Sequence, residues 1–149
     1  MDTYLRSYEP RNGFTKVAGI VDGDLELTEF GLFDLREGQS HTGETGANEV
    51  FLVILGGVCA VRGEDFEFSK VGGRANVFDG KPHCVMLPSQ TSYQITALSD
   101  VEIAWTASPS EMAMEPYIIG PEQIKDVHIG NENYQRDAYL ILTDECPSQ

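Results

Sequence analysis

The sequence has few cysteines, few histidines and few basic residues, and it contains no long apolar run. Each shortage excludes something. Three cysteines, Cys59, Cys84 and Cys146, form an odd, scattered set without a C-x-x-C pair, which argues against a disulfide framework and for a reducing compartment. No stretch of about 18 apolar residues occurs. Met1-Asp2-Thr3-Tyr4-Leu5-Arg6 lacks the apolar core of a secretory leader, so the expected location is cytoplasmic. Ten Lys and Arg stand against 24 Asp and Glu, a formal charge of -14. Phosphate backbones and anionic lipid surfaces repel such a chain, so neither nucleic acid nor membrane is an expected partner, and the acidity serves solubility. There is no G-x-S-x-G elbow and no phosphate-binding glycine loop. The one Cys next to a His is His83-Cys84, and neighbours on a strand point to opposite faces, so the two do not meet as nucleophile and base.

What the sequence does have is a central apolar stretch, Glu49 to Val61, interrupted by Gly56-Gly57. Its first run is rich in β-branched and aromatic residues and too short for a typical helix, and Gly-Gly permits the positive φ of a tight turn. Two adjacent antiparallel strands are predicted. Strand alternation puts Phe51, Val53 and Leu55 on one face and Val50, Leu52 and Ile54 on the other. Both faces are apolar, so both should be covered. A barrel covers only its inside, which predicts a second sheet, a second domain or a partner subunit on the outside.

The remaining chain keeps the rhythm of short strands between turn residues. Residues 1–14 are polar and carry Pro10 and Gly13, and are expected to form an arm; residues 15–149 are expected to form one domain. Val17 to Val21 reads as an edge strand closed by Asp22-Gly23. Further runs are Glu29 to Leu35, Glu64 to Phe68, His83 to Leu87, Ser92 to Leu98, Val101 to Ala107 and Tyr139 to Leu142. Eight or so strands at this spacing read as an all-β sandwich or barrel. Ser110 to Glu115 and Pro121 to Lys125 are expected to form short helical turns, the second with Pro where a first turn accepts it.

The motifs then point to a family. Glu49 followed by six residues and then Gly56 resembles the tail of the first cupin motif, and Pro88-x-x-x-x-Tyr93 has the spacing of the proline and histidine of the second. Gly72-Gly73-Arg74-Ala75-Asn76-Val77-Phe78-Asp79-Gly80-Lys81-Pro82 is similar to a G-G-R-A-S-V-F-x-G-x-P stretch in the N-terminal half of the bacterial 5-deoxy-glucuronate isomerases of inositol catabolism. Gly31 to Gly38, Glu49 to Gly57 and Ile119-Gly120-Pro121 follow the same order. The resemblance implies a cupin-type jelly-roll barrel. It also implies a protein of two tandem barrels whose divalent metal, held by a His-x-His…Glu…His set, belongs to the second.

Carried over residue by residue, that resemblance leaves little chemistry here. The histidines a cupin places before its glutamate would fall near Thr42 to Thr45, and the second motif's histidine is Tyr93, so only Glu49 remains of four ligands. One carboxylate does not hold a transition metal. The candidate pocket is therefore His41, Glu44, Glu49 and Tyr93. His41 is placed in a loop at the barrel mouth and read as a solvated or hydrogen-bonded group rather than a ligand. Glu49 is expected to face inward with Phe51, Val53, Tyr93 and Ile95, an apolar lining that favours a filled core over a sugar cavity. The expected function is that of a non-catalytic barrel in a 5-deoxy-glucuronate isomerase-like protein, with no cofactor of its own and a second cupin barrel or a homodimer partner. Two alternatives stand: a stand-alone cupin binding a small sugar acid, and a single-barrel metalloenzyme using Glu49, His41 and a third ligand from Tyr93, His83 or His128.

Overall fold

A computed structural model of the chain describes residues 7–20, 25–143 and 146. Among them lie twelve strands: β1 (Gly13–Ala18), β2 (Glu29–Leu35), β3 (Ser40–Glu44), β4 (Asn48–Gly56), β5 (Val58–Arg62), β6 (Glu67–Gly72), β7 (Cys84–Leu87), β8 (Ser92–Ala97), β9 (Val101–Pro109), β10 (Tyr117–Ile119), β11 (Lys125–Ile129) and β12 (Arg136–Leu140). They pair antiparallel into a six-stranded sheet, β1-β2-β9-β4-β7-β10, a four-stranded sheet, β3-β8-β5-β6, and a separate β11-β12 ribbon. The two larger sheets face each other across one core, which is the all-β jelly roll expected. No helix among the described residues is long and apolar enough to cross a membrane.

Alternation along β4 decides what lies inside. Val50, Leu52 and Ile54 are buried in one cluster with Phe33, Val61, Leu87, Ile95 and Ile103, residues drawn from both sheets. Phe51 and Val53 instead pack with Cys84, Ile119, Ile124 and Ile141 in a second cluster on the outer face of the six-stranded sheet. The predicted orientation of β4 is thus reversed: its even-numbered residues fill the barrel. The covering of its outer face is also local. The chain's own residues after Pro116 fold back over Phe51 and Val53 and leave both half-buried.

Gly56-Gly57 is not a hairpin turn either. Strand β4 lies between β9 and β7, while β5 lies between β8 and β6, so the two glycines carry the chain from one sheet to the other. A bulge between Ile54 and Gly56 shifts the register with β9, which ends with Gly56 opposite Glu102. Gly57 follows with φ of 89°, its N–H donating to the Arg74 carbonyl at 2.9 Å and its carbonyl accepting from the Gly73 N–H at 3.0 Å.

Other boundaries move for identifiable reasons. Strand β1 starts at Gly13, inside the expected arm, because Phe14 packs on Phe33 with ring centroids 4.7 Å apart and Asn12 donates to the Asp34 carbonyl. Its expected end at Val21, and the Asp22-Gly23 turn, lie outside the described residues. Strand β6 begins at Glu67, leaving Glu64 and Asp65 exposed in the preceding turn. Ser110 to Glu115 forms no helical turn: Ser110 is buried and its N–H donates to the Ala47 carbonyl, which ties the segment in an irregular path. Pro121–Gln123 is the short 3-10 turn anticipated.

Candidate functional site

The barrel interior, where a cupin would place its chemistry, is lined at the end between β1 and β3 by five rings. Phe14 comes from β1, Phe33 from β2, His41 from β3, Tyr93 from β8 and Trp105 from β9. His41 pairs in register with the fully buried Ile95, which turns its imidazole inward, 4.7 Å from the Phe33 ring and 6.0 Å from Phe14. Phe14 meets Trp105 edge-on at 5.3 Å. Two glycines make room for these rings. A Cβ on Gly31 would lie 2.6 Å from the Phe14 ring, and one on Gly43 would lie 2.7 Å from the Tyr93 hydroxyl. The space over both backbones is already filled by aromatic side chains.

Three polar groups sit among the rings. Burial pushes the Tyr93 phenol up, opposed by the nearby Trp105 N–H. No acceptor among the described residues meets hydrogen-bond geometry with the buried Trp105 nitrogen. Burial also holds the His41 imidazole below its ordinary value, so it stays neutral where an exposed histidine takes up a proton. The consequence for stability has a definite sign. Between the folded-state value and about 6.5 the unfolded chain binds a proton that the folded chain refuses, so stability falls as pH drops through that window and is flat above it. His41→Phe should keep the packing on Phe33 and reduce the acid-side slope of stability measured by urea unfolding across pH 4–7.

The four residues singled out from sequence do not converge. His41 and Tyr93 share the interior, His41 from a strand and not from a loop. Glu44 is exposed on the outer face of the four-stranded sheet, since alternation from His41 and Gly43 turns it away. Glu49 is buried, but on the outer face of the six-stranded sheet beside Tyr117. Burial, with the Cys146 thiol and Glu49 adding to it, pushes that phenol up to about 12. Cys59 and Cys84 are likewise pushed up to about 12 by burial and are inert as nucleophiles at neutral pH. His128, which had no apparent partner in sequence, lies across the β11-β12 ribbon with its Nδ1 2.8 Å from the Asp137 carboxylate. Sequence reasoning missed Phe14, Phe33 and Trp105 as lining. For Trp105 a signal was available: it alternates with Ile103 and Ala107 on the strand closest in pattern to β4.

A family model described as KduI/IolB matches residues 7–149. The chain belongs to the KduI/IolB family. Its curated relatives include the 5-deoxy-glucuronate isomerase of Bacillus subtilis (strain 168), 32% identical over 146 residues, or 96% of this chain and 54% of that protein. The 5-deoxy-glucuronate isomerase of Halalkalibacterium halodurans is 27% identical over 94% of this chain and 53% of that protein. The chain thus spans about half the length of these KduI/IolB relatives. Among solved structures, an IolB-like protein from Salmonella typhimurium LT2 superposes with a TM-score of 0.88 at 25% identity, covering 94% of this chain and 54% of the other. A cupin superfamily protein from Desulfitobacterium hafniense DCB-2 superposes at 0.50 and 14% identity, over 69% of this chain and 84% of the other, which supports the cupin fold alone.

The divalent metal that the family resemblance implies does not fit the residues inside this KduI/IolB barrel. The interior offers one imidazole and one phenol, with the nearest expected carboxylates, Glu44 and Glu49, on outer faces. Among the described residues no three His, Cys, Asp or Glu side chains are grouped as a metal would need. No catalytic step is therefore derived through a metal here.

Proposed function

We propose that this chain is the non-catalytic barrel of a 5-deoxy-glucuronate isomerase-like protein, working in the cytoplasm in inositol breakdown. The aldose–ketose isomerisation of the deoxy sugar acid would belong to a second barrel that carries the metal. The observation that carries the reading is the filling of the interior: Phe14, Phe33, His41, Tyr93 and Trp105 occupy the space a sugar and its metal need. A barrel packed this way contributes a rigid surface and stability rather than chemistry.

A specific observation favours a second reading, in which the interior binds a small sugar acid. The buried Trp105 N–H without an acceptor is a donor that a carboxylate or hydroxyl could satisfy, and an orphaned buried donor costs about 1–3 kcal/mol. One set of measurements separates the readings. The purified chain is assayed for 5-deoxy-glucuronate isomerisation with and without added divalent metal, its metal content is measured, and its fluorescence is titrated with glucuronate. Trp105 is the sole tryptophan, so the emission reports this site directly. The expected result is no turnover above the blank, no stoichiometric metal and an unchanged spectrum. A saturable spectral shift would replace the leading reading with the binding one, and turnover with bound metal lost in His41→Ala would overturn both.

A further inference from the structure

The chain's own later residues pack over Phe51 and Val53 on the outer face of the six-stranded sheet, and a surface they leave without a companion is the β11-β12 ribbon. It belongs to neither large sheet, and β12 pairs with β11 alone, leaving its other edge unpaired among the described residues. Only the central cross-strand pair, Val127 and Ala138, is half-buried; every other residue of both strands is exposed. Ile129, Tyr134, Tyr139 and Leu140 are 38%, 76%, 42% and 44% exposed within one short segment. A two-stranded ribbon is marginal in water by itself, and a free edge lined with apolar side chains is a template for another strand.

The charges on the ribbon indicate which strand. The chain as a whole carries -14, so two copies repel over most of their surfaces. The ribbon strands are the exception: Lys125 and Arg136 balance Asp126 and Asp137, for a formal sum of zero. Strand β12 can also face itself without opposing like charges. Run antiparallel about its middle residue, Ala138 faces the partner's Ala138, Arg136 faces the partner's Leu140 and Asp137 faces the partner's Tyr139. All five residues are used, no like charges stand opposite, and the smallest side chain lies on the axis. We propose that β12 pairs antiparallel with β12 of a second copy about Ala138, joining two ribbons into a continuous four-stranded sheet. The contact is isologous and closes as a dimer. Because the bodies repel while the contact is locally neutral, association should tighten as salt rises, the reverse of a contact led by ion pairs.

The test uses the full chain. Sedimentation velocity over a range of concentrations in low and high salt should show a monomer–dimer equilibrium shifted toward dimer by salt. Hydrogen exchange should slow at Arg136 to Leu140 at the concentrations where dimer forms, and not on dilution. In a Cys146→Ser background, Ala138→Cys should cross-link two chains under mild oxidation, because opposed Cβ atoms in an antiparallel pair lie about 4.5–5.5 Å apart. Thr42→Cys, on the exposed face of β3, should not. A monomer at every concentration would overturn the proposal and leave the ribbon to a different chain, such as the additional length its relatives carry. A dimer whose β12 amides exchange no more slowly than the monomer's, or one that Thr42→Cys traps as readily as Ala138→Cys, would overturn it as well.

Discussion

Leu52→Ala is expected to cost about 2–5 kcal/mol of stability, while the neighbouring Val53→Ala costs about 1 kcal/mol. The two side chains differ by one position and by the face they occupy. Leu52 is fully buried at the centre of the barrel, between β9 and β7 and across from the four-stranded sheet, in a cluster with Ile54, Ile95 and Ile103. Truncating it leaves a cavity enclosed on every side, and close-packed β-sheet backbones on both flanks cannot collapse to fill it. Val53 is half-buried on the outer face, against the segment that folds back after β10. That cover is a chain segment rather than a sheet, and it can follow a smaller side chain inward. Urea unfolding followed by Trp105 emission and by circular dichroism measures both. Equal losses would mean that the outer cover is as rigid as the core, and a larger loss at Val53 would restore the orientation read from sequence.

That orientation shows where sequence reading stops. Alternation along β4 was legible, as were the all-β class, the family and the inward placement of Tyr93 and Ile95. Which face was the inside was not legible, because Val50, Leu52 and Ile54 match Phe51, Val53 and Leu55 in apolarity. The choice rested on Glu49, which the cupin pattern places inward. In this chain Glu49 lies outside, beside Tyr117, away from His41 and Tyr93. His41 was read as a loop residue for a related reason. Its strand, Ser-His-Thr-Gly-Glu, has no apolar member at all, and forms because it completes the edge of a sheet against β8 rather than from any preference of its own. Phe14 was hidden by polar neighbours on either side. Its aromatic contacts with Phe33 and Trp105, which start β1 early, are long-range and carry no local signal.

The second large effect is expected at Gly57, where alanine should cost at least about 3 kcal/mol, a sizeable share of the roughly 5–15 kcal/mol that holds a domain folded. Two terms add there. The φ of 89° strains any residue with a Cβ, and that Cβ would lie 2.1 Å from the Asp100 carbonyl oxygen, which is backbone and cannot rotate aside. Gly38→Ala separates the terms, since Gly38 has φ of 81° with nothing within 4 Å of the added carbon; it should lose only about 1–2 kcal/mol, from the backbone conformation alone. The excess at Gly57 measures the clash. That clash falls where β4 hands over to β5, with the Asp100–Val101 backbone at the start of β9 pressed against the crossing and the Gly57 carbonyl engaged by Gly73. Relief therefore requires the β4–β5 and β8–β9 crossings to part, against the β4–β9 and β5–β8 pairing on either side, rather than one turn to open. A Gly57→Ala protein that unfolds at the same urea concentration as Gly38→Ala would mean that Gly56-Gly57 is a compliant turn after all, as the sequence alone suggests.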